Sequence, residues 1–181
     1  MKYYDVSIVE VPAWFGFNGN LKPVIIKAKT QNELRKKSRV KGLSVLKNPD
    51  SQVFRKAVDK ALVDAILPDR LHGHDYLHHH RTILSNVTLK IMNKFNISLM
   101  FTFKELREAI GLDRAKVWGR MKYELWLCNK KKVPVIICSG AESPKDLVPA
   151  RSLLALGELL GLRPEQAKKA LNYVHEKILN R

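Results

Sequence analysis

Residues 133–162, VPVIICSGAESPKDLVPARSLLALGELLGL, decide the fold class, because they contain a strand, a tight turn and a helix in direct succession. The β-branched run at 133–138 is long enough for a buried strand and too short for a helix. Ser143 and Pro144 are typical of the first residues of a helix, so we expect one leucine-rich helix from there to Gly161. A strand–turn–helix unit of this kind predicts a parallel sheet covered by helices.

The same alternation of strand and helix signals runs through the rest of the chain. Hydrophobic patterning predicts further strands at 3–11, 23–28, 40–46, 63–67 and 97–103. It predicts helices at 30–38, 52–60, 83–95, 104–110 and 113–129 and from residue 164 onward. We expect the segment 14–20 to be an aromatic, turn-rich loop.

The length of the chain limits the architecture that these elements can form. Strands that alternate with helices predict an α/β fold of parallel strands joined by right-handed crossovers. A complete eight-stranded TIM barrel needs at least about 200 residues, and this chain has 181. We therefore expect a single domain over residues 1–181, in which parallel strands form an open sheet or an irregular, incomplete TIM-like barrel with surrounding helices.

The composition points to a polyanionic partner. Lysine and arginine outnumber aspartate and glutamate by 33 to 17, and the net charge is +16. The excess is concentrated at 22–60 and 113–132 and favours nucleic acid as the partner, ahead of an acidic membrane surface. No apolar run approaches the roughly 18 residues that a membrane helix requires, and Cys128 and Cys138 suit core positions in a reducing compartment. We expect a soluble, cytoplasmic protein.

Clusters of basic residues on and after the predicted helices are the candidates for RNA contact. Part of this charge complements the helix dipole, but the density at 35–41 exceeds what a dipole attracts. The alternative, a merely solvated basic face, stays open, above all at 130–132. Contacts of this kind hold phosphates without reading sequence. The candidate RNA-binding residues are Arg35, Lys36, Lys37, Arg39, Lys41, Arg114, Lys116, Arg120, Lys122, Lys130, Lys131 and Lys132.

Most of the histidines lie between residues 72 and 80, in and after a loop that follows the strand predicted at 63–67. His72, His74 and Asp75 form a candidate carboxylate–imidazole site for zinc, manganese or iron at a strand end, where barrel enzymes place metals. The other predicted strands end without further His or Cys ligands. Solvated or RNA-facing histidines are therefore the favoured interpretation, and a metal site is the minor alternative.

Ser139, Gly140 and Lys145 form a candidate phosphate-binding turn. Small residues let a phosphate approach the backbone, and the N-terminus of the helix predicted at Pro144 attracts anions. Ser139 lacks the flanking glycines of a catalytic serine elbow, and turn geometry explains it better. We predict no catalytic residue in the chain.

Aromatic residues leave two further alternatives open. Trp14, Phe15 and Phe17 either stack on RNA bases or pack against protein, and packing is favoured. Trp118 and Trp126 lie on one predicted helix, where they either reach a partner or join the core.

The last third of the chain contains an ordered set of short motifs: Ser-Gly-Ala at 139–141, Lys-Asp-Leu at 145–147, a leucine-rich helix at 153–160 and Glu-x-Ala-Lys at 165–168. This set resembles ribonuclease P protein component 3, a family of archaeal and eukaryotic protein subunits of the RNA-based enzyme that trims tRNA precursors. A weaker match extends through 63–66 and 97–106. The resemblance implies an irregular TIM-like barrel with incomplete repeats.

The resemblance also implies a function and a set of partners. It implies an archaeal subunit that binds and stabilises ribonuclease P RNA, while that RNA with bound magnesium removes the 5′ leader of precursor tRNA. The isolated chain is then not catalytic and needs no cofactor of its own. The implied protein partner is a small α/β subunit, associated as a heterotetramer. Two alternatives remain: a metal-dependent phosphoesterase that uses the histidine-rich region, and an RNA-binding subunit of another particle.

Overall fold

The computed structural model describes residues 3–38, 41–75 and 80–179. The strands are β1 (Tyr4–Val6), β2 (Gly19–Leu21), β3 (Val24–Ile26), β4 (Ser44–Lys47), β5 (Ala65–Leu67), β6 (Ser98–Thr102) and β7 (Val135–Cys138). The helices are α1 (Gln31–Lys37), α2 (Ser51–Asp59), α3 (Asn86–Lys94), α4 (Phe103–Glu108), α5 (Leu112–Lys131), α6 (Ala150–Leu160) and α7 (Pro164–Leu179). Short 3-10 turns occur at Ala13–Phe15 and Pro144–Asp146.

Five strands form one parallel sheet in the order β3-β4-β5-β6-β7, and β1 and β2 form a separate parallel pair. The pair bridges the two edges of the sheet. β2 leads into β3 after only two residues, and beyond β1 the amide of Ile8 donates a hydrogen bond of 2.9 Å to the carbonyl oxygen of Ala141, which follows β7. The strands therefore surround a common interior without closing it completely, which confirms the predicted α/β fold of an irregular TIM-like barrel.

The two faces of the sheet belong to different apolar clusters. Val45, Ala65 and Met100 point into the interior with Val6 of β1, while alternate strand residues pack beneath the helices. On α5 the buried apolar face consists of Val117, Met121, Leu125 and Cys128. Alternation along strands and helical spacing along α5 thus fixed which side chains enter each layer.

Helix α7 closes the end of the barrel at which the strands begin. Val174 joins the interior cluster. Lys177 Nζ donates a hydrogen bond of 3.0 Å to the carbonyl oxygen of Asp64, just before β5, and Tyr173 bonds with Asn96, just before β6. Within the described residues, the interior of the barrel is therefore open at the carboxyl ends of the strands.

The helix predicted from Ser143 to Gly161 is interrupted. Ser143 and Asp146 form a reciprocal cap, but they cap the short turn Pro144–Asp146, and α6 begins only at Ala150. The reason is Pro149, because a proline disfavours helical geometry in the residue before it. The leucine-rich face and Gly161 at the end of the helix are as predicted, with Gly161 at φ 114°.

Two other segments differ from the sequence-based expectation. The last two residues of segment 14–20 belong to β2, which forms because β1 supplies a parallel partner. Helix α3 starts at Asn86 rather than residue 83. Leu89 and Met92 are buried, whereas Val87 is 62% exposed and Phe95 is 43% exposed. No helix in the described part of the chain is long and apolar enough to cross a membrane.

Candidate nucleic-acid interface and the carboxyl end of the sheet

The open end of the barrel leads into a cavity of about 250 Å³. Val6 and Met100 contribute to its apolar wall, and charged side chains line its mouth. There Lys104 lies 2.7 Å from a carboxylate oxygen of Glu142, and Lys47 lies 3.6 Å from the other. The hydrogen bond from Lys104 lowers the pKa of Glu142. The charges at the mouth therefore neutralise one another.

Arg70 lies fully buried beside this cavity between two glutamates. Its Nε is 2.7 Å from Glu124 Oε2, its Nη1 is 2.9 Å from Glu105 Oε2, and its Nη2 donates a hydrogen bond of 2.9 Å to the carbonyl oxygen of Met100. Burial alone would lower the pKa of Arg70, but the negative charges of Glu105 and Glu124 raise it. The charged guanidinium thus links β6, α4 and α5 through one hydrogen bond and two ion pairs.

Arg120 is also buried, at 1% exposure. Its Nε lies 2.8 Å from Asp75 Oδ1, and its two terminal nitrogens donate hydrogen bonds of 2.7–2.9 Å to carbonyl oxygens in the following loop residues: Arg70, His72 and Gly73. The prediction that Arg120 lies on the polar, RNA-facing side of its helix is therefore wrong. Its donors hold the loop against α5 instead.

Among the described residues, the candidate ligands His72, His74 and Asp75 do not form a metal-binding group. Asp75 accepts hydrogen bonds from the Arg81 amide at 2.8 Å and from Arg120, and Asp75 Oδ2 lies 3.0 Å from His80 Nδ1. Burial raises the pKa of Asp75, but these bonds outweigh it and lower the pKa. His72 Nδ1 instead pairs with Asp69 at 2.8 Å.

No group of three His, Cys, Asp or Glu side chains suited to a metal occurs within the described residues. His74 is exposed, and His78 and His79 lie outside the described residues. The hydrogen bonds of Asp75 account for its position without a metal ion.

The candidate phosphate-binding turn is occupied by a carboxylate of the protein itself. Ser139 is fully buried, its amide donates a hydrogen bond of 2.8 Å to Asp5 Oδ1, and its hydroxyl donates to Asp5 Oδ2. Burial raises the pKa of Asp5. Gly140 has φ 65°, and a Cβ there would come 2.8 Å from Thr102, so its glycine character serves packing. The prediction that Ser139 and Gly140 hold a phosphate is therefore wrong in its geometry.

Lys145, the third member of that turn, is exposed on the short turn Pro144–Asp146. Asp146 Oδ2 accepts hydrogen bonds from the Ser143 amide and hydroxyl, both at 2.9 Å, and Asp146 pairs with Arg107. The turn is only three residues long, and the Ser143 amide just before it already donates to the Asp146 carboxylate. The segment therefore offers no helix N-terminus for an anion.

The other predicted RNA-binding residues divide between the two ends of the barrel. In a parallel α/β fold each helix ends near the beginning of the next strand. The residues at the end of α1 (Arg35, Lys36 and Lys37) and Lys41 are exposed, as are Lys130 and Lys132 at the end of α5. Their backbones lie near the amino ends of the strands, on the side opposite the cavity, but the Lys37 ammonium group donates a hydrogen bond of 2.9 Å to the carbonyl oxygen of Lys27, just after β3. Arg39 lies outside the described residues.

Two lysines that the sequence analysis did not select join this end. Lys60 follows α2, Lys94 ends α3, and both are exposed just before a strand. The signal that could have found them was positional, because each helix that precedes a strand of the main sheet ends in basic residues. We call the following set the amino-end basic surface: Arg35, Lys36, Lys37, Lys41, Lys60, Lys94, Lys130, Lys131 and Lys132.

The three remaining candidates lie on α5 and are not equivalent. Arg114 Nε donates a hydrogen bond of 2.8 Å to the carbonyl oxygen of Ala109, and Lys116 pairs with Asp113 at 2.9 Å. Lys122 is exposed near the middle of the helix. Arg114 and Lys116 therefore stabilise the start of α5, whereas Lys122 faces solvent.

The start of α5 carries an exposed apolar tip. Ile110 is 79% exposed and Leu112 is 90% exposed, and Gly111 between them has φ 56°. Next to this tip, Phe103, Arg114 and Trp118 are among the residues that line an open groove. The two aliphatic side chains thus form a small apolar surface that is exposed to solvent.

The aromatic residues divide as follows. Phe17 is buried and Phe15 packs against the core, as favoured, whereas Trp14 is 80% exposed. Trp118 packs partly against the core, and Trp126 is 53% exposed on the outer face of α5.

Comparisons with known proteins agree on one family. A family model described as RNase P subunit p30 matches residues 22–181. A protein named Ribonuclease P protein component 3 from Methanosarcina mazei is 31% identical over 98 residues, which are 54% of this chain and 41% of that relative. The protein of the same name from Thermococcus gammatolerans is 30% identical over 144 residues, 78% of this chain and 63% of the relative. The chain thus spans less than two thirds of the length of these curated relatives.

The fold is similar to that of a chain in the cryo-EM structure of archaeal Ribonuclease P with mature tRNA. The two superpose with a TM-score of 0.75 at 22% sequence identity, over 98% of this chain and 79% of the other. At this identity the similarity establishes a shared fold.

Proposed function

This chain belongs to the RNase P subunit p30 family, and on that premise we propose that it is a protein subunit of ribonuclease P, the ribonucleoprotein that removes the 5′ leader of precursor tRNA. The observation that carries the proposal is the amino-end basic surface. Eight lysines and Arg35, all of them exposed except the half-buried Lys131, lie at or just after the ends of four helices around one end of the barrel. Such a surface binds closely spaced phosphates and positions an RNA without reading its sequence.

The contribution of the chain is electrostatic. A folded catalytic RNA packs phosphates against one another, and their repulsion opposes the compact, active conformer. Lysines that lie between phosphates release condensed counterions and stabilise that conformer. We propose that the RNA with its own bound magnesium performs the hydrolysis, and that this chain supplies no reacting group. The pairing of the charges at the open end of the barrel supports this division.

A second protein subunit docks on the apolar tip at Ile110 and Leu112 in this proposal. Aliphatic side chains exposed to 79% and 90% gain little from a phosphate backbone and much from an apolar protein surface. The occupant is the small α/β subunit implied by the resemblance, and the heterotetramer follows if two such contacts surround a dimer of that subunit. Trp118 beside the tip extends the apolar contact.

The test is cleavage of a precursor tRNA by a particle reconstituted from the catalytic RNA, its other protein subunits and magnesium, with and without this chain. We expect omission to lower cleavage near physiological salt, and the chain alone to be inactive. Chelator-sensitive cleavage of a phosphoester by the chain alone would overturn the proposal. Full activity of the particle without this chain would also overturn the proposal, and the chain would then belong to another RNA.

Docking of the partner is tested with Leu112→Glu and the matched control Leu159→Glu, which places the same charge at a leucine that is 65% exposed on α6. We expect Leu112→Glu to abolish copurification with the small α/β subunit while the affinity for RNA is unchanged. Equal copurification of both variants would place the partner elsewhere.

A further inference from the structure

We propose that the outer face of α5 is a stacking site for an unpaired nucleotide of the RNA, with Trp126 as the platform and Lys122 and Lys130 as its phosphate contacts. The proposal rests on the proposed function, since it assumes an RNA partner. It adds a specific site and a chemical class of ligand: a base that is not engaged in a duplex.

A row of three rings and one ammonium group lies along α5. The ring centroids of His80 and Tyr123 lie 6.1 Å apart with planes inclined by 57°, and those of Tyr123 and Trp126 lie 6.0 Å apart with planes inclined by 19°. Lys130 Nζ lies 4.9 Å from the centroid of Trp126. We call these four residues the α5 row. Three of them are spaced by three and four positions, which places them on one face of the helix.

Gly119 makes room for the His80 ring, which is the first member of the α5 row. A Cβ at this position would lie 2.8 Å from the imidazole ring of His80. Glycine inside a helix costs roughly 1 kcal/mol relative to alanine. The close approach of the His80 ring to the helix backbone explains why glycine occupies this position.

Trp126 combines exposure with a cationic setting. Its side chain is 53% exposed, although an indole of this size normally gains by burial. Lys122 precedes it by one turn and Lys130 follows it by one turn, and both are exposed. An aromatic face between two cations at helical spacing is the arrangement that binds a base and its flanking phosphates.

The same features argue against a protein ligand at this position. The centres of protein interfaces are depleted in lysine, and here lysines lie directly before and after the aromatic ring. Lys130 also belongs to the amino-end basic surface, so a strand held there by its phosphates passes Trp126. The apolar tip at Leu112 has the opposite character and lies at the other end of the same helix.

The experiment measures binding of the full chain to a short single-stranded RNA oligonucleotide by fluorescence anisotropy over a range of salt concentrations. We expect Trp126→Ala to weaken binding by about 5-fold to about 100-fold, the range for loss of one base–aromatic stack. The slope of log affinity against log salt should not change, because every lysine that meets a phosphate stays in place. Trp126→Phe should restore most of the affinity, because it keeps an aromatic face.

Lys122→Gln and Lys130→Gln should each lower the magnitude of that slope by about 0.7, the value for one neutralised phosphate of a single strand. Leu159→Ala is the matched control, since Leu159 is 65% exposed on α6, and it should bind like the wild type. Quenching of tryptophan fluorescence by the oligonucleotide should disappear in Trp126→Ala and persist in Leu159→Ala.

The outcomes separate the two proposals. If the wild type binds the oligonucleotide and Trp126→Ala binds equally well, the stacking site is overturned while the proposed function stands. If Trp126→Ala loses copurification with a protein subunit and keeps its RNA affinity, the α5 row is a protein contact and the inference is wrong. If the wild type neither binds RNA nor supports the particle, the proposed function itself fails.

Discussion

The two ends of the barrel use their positive charges in opposite ways. At the carboxyl end, Arg70 and Arg120 are buried, and their guanidinium groups pair with Glu105, Glu124 and Asp75. At the amino end, the lysines that terminate the helices are exposed to solvent. The arginines of the carboxyl end are therefore used in internal ion pairs, whereas the lysines of the amino end are exposed to solvent. The net charge alone does not tell these two uses apart.

The chemistry of the side chains matches this division. A guanidinium offers five donors in a planar fork and can satisfy several carboxylates and carbonyl oxygens at once when it is buried. An ammonium is strongly hydrated and stays at the surface, where it can exchange its water for a phosphate. The fold places Arg70 and Arg120 in the crowded carboxyl end, and most of the cations at the ends of helices, where the dipole also favours them, are lysines.

The strongest test of this comparison is removal of a buried guanidinium. Arg70→Ala leaves Glu105 and Glu124 buried without their partner, so we expect the free energy of unfolding to fall by about 3–5 kcal/mol in urea titrations. Arg35→Ala, at an exposed position of the amino-end basic surface, should change it by less than about 0.5 kcal/mol. Equal effects of the two substitutions would contradict the distinction between the two ends.

The second test removes charge from the exposed end. The triple change of Lys130, Lys131 and Lys132 to glutamine should lower the magnitude of the salt slope of RNA binding by about 0.7–0.9 for each phosphate that is no longer neutralised. Stability should be nearly unaffected.

The matched control removes the same charge from the carboxyl end, by changing Lys47, Lys104 and Lys145 to glutamine. If this control lowered the slope as much as the amino-end triple variant, RNA would not distinguish the two ends.

A smaller effect is expected at the occupied turn. Ser139→Ala removes the hydroxyl that donates to the buried Asp5, and we expect a loss of about 1–3 kcal/mol in the free energy of unfolding. RNA affinity should not change, because the side chain contacts only the protein. A loss of affinity without a loss of stability would restore the phosphate-binding interpretation of this turn.

The smallest effect concerns the pH dependence of stability. The hydrogen bonds of Asp75 lower its pKa below the ordinary value of 3.8. As the pH falls below that value, the unfolded chain binds a proton before the folded chain does, so the stability contributed by Asp75 is present at neutral pH and is lost in acid.

Asp75→Asn should therefore lower stability at neutral pH by about 1 kcal/mol and flatten the acid limb of the stability–pH curve. Glu10→Gln, at an exposed position outside the helices, serves as the control. An acid limb that is unchanged in Asp75→Asn would show that Arg120 does not depend on this carboxylate.

Much of the fold was predictable from local pattern. The strands at 97–103 and 133–138 and the buried face of α5 follow from alternation and helical spacing, because these patterns directly reflect which side a residue faces. The errors have identifiable causes. Pro149 interrupts a predicted helix, and β2 forms because β1 lies beside it.

The candidate site was predictable only in part. Clustering in sequence identified the basic residues at the ends of α1 and α5, whereas Lys60 and Lys94 stand alone in the sequence and join them through topology. Arg120 has the helical position of an exposed residue beside Lys122, and no local signal distinguishes the two. Its loop partners lie about 50 positions earlier in the chain.

The sequence by itself determined the alternation of strands and helices, the excess of positive charge and its concentration at helix ends, since each of these depends on residues within a few positions of one another. Only the tertiary structure decided which of those charges face water. A charge can be buried when carboxylates and carbonyl oxygens from distant segments surround it, and that arrangement exists only after the chain has folded. Arg120 therefore became a loop clamp, while Lys130 remained at the surface, where it can meet an RNA.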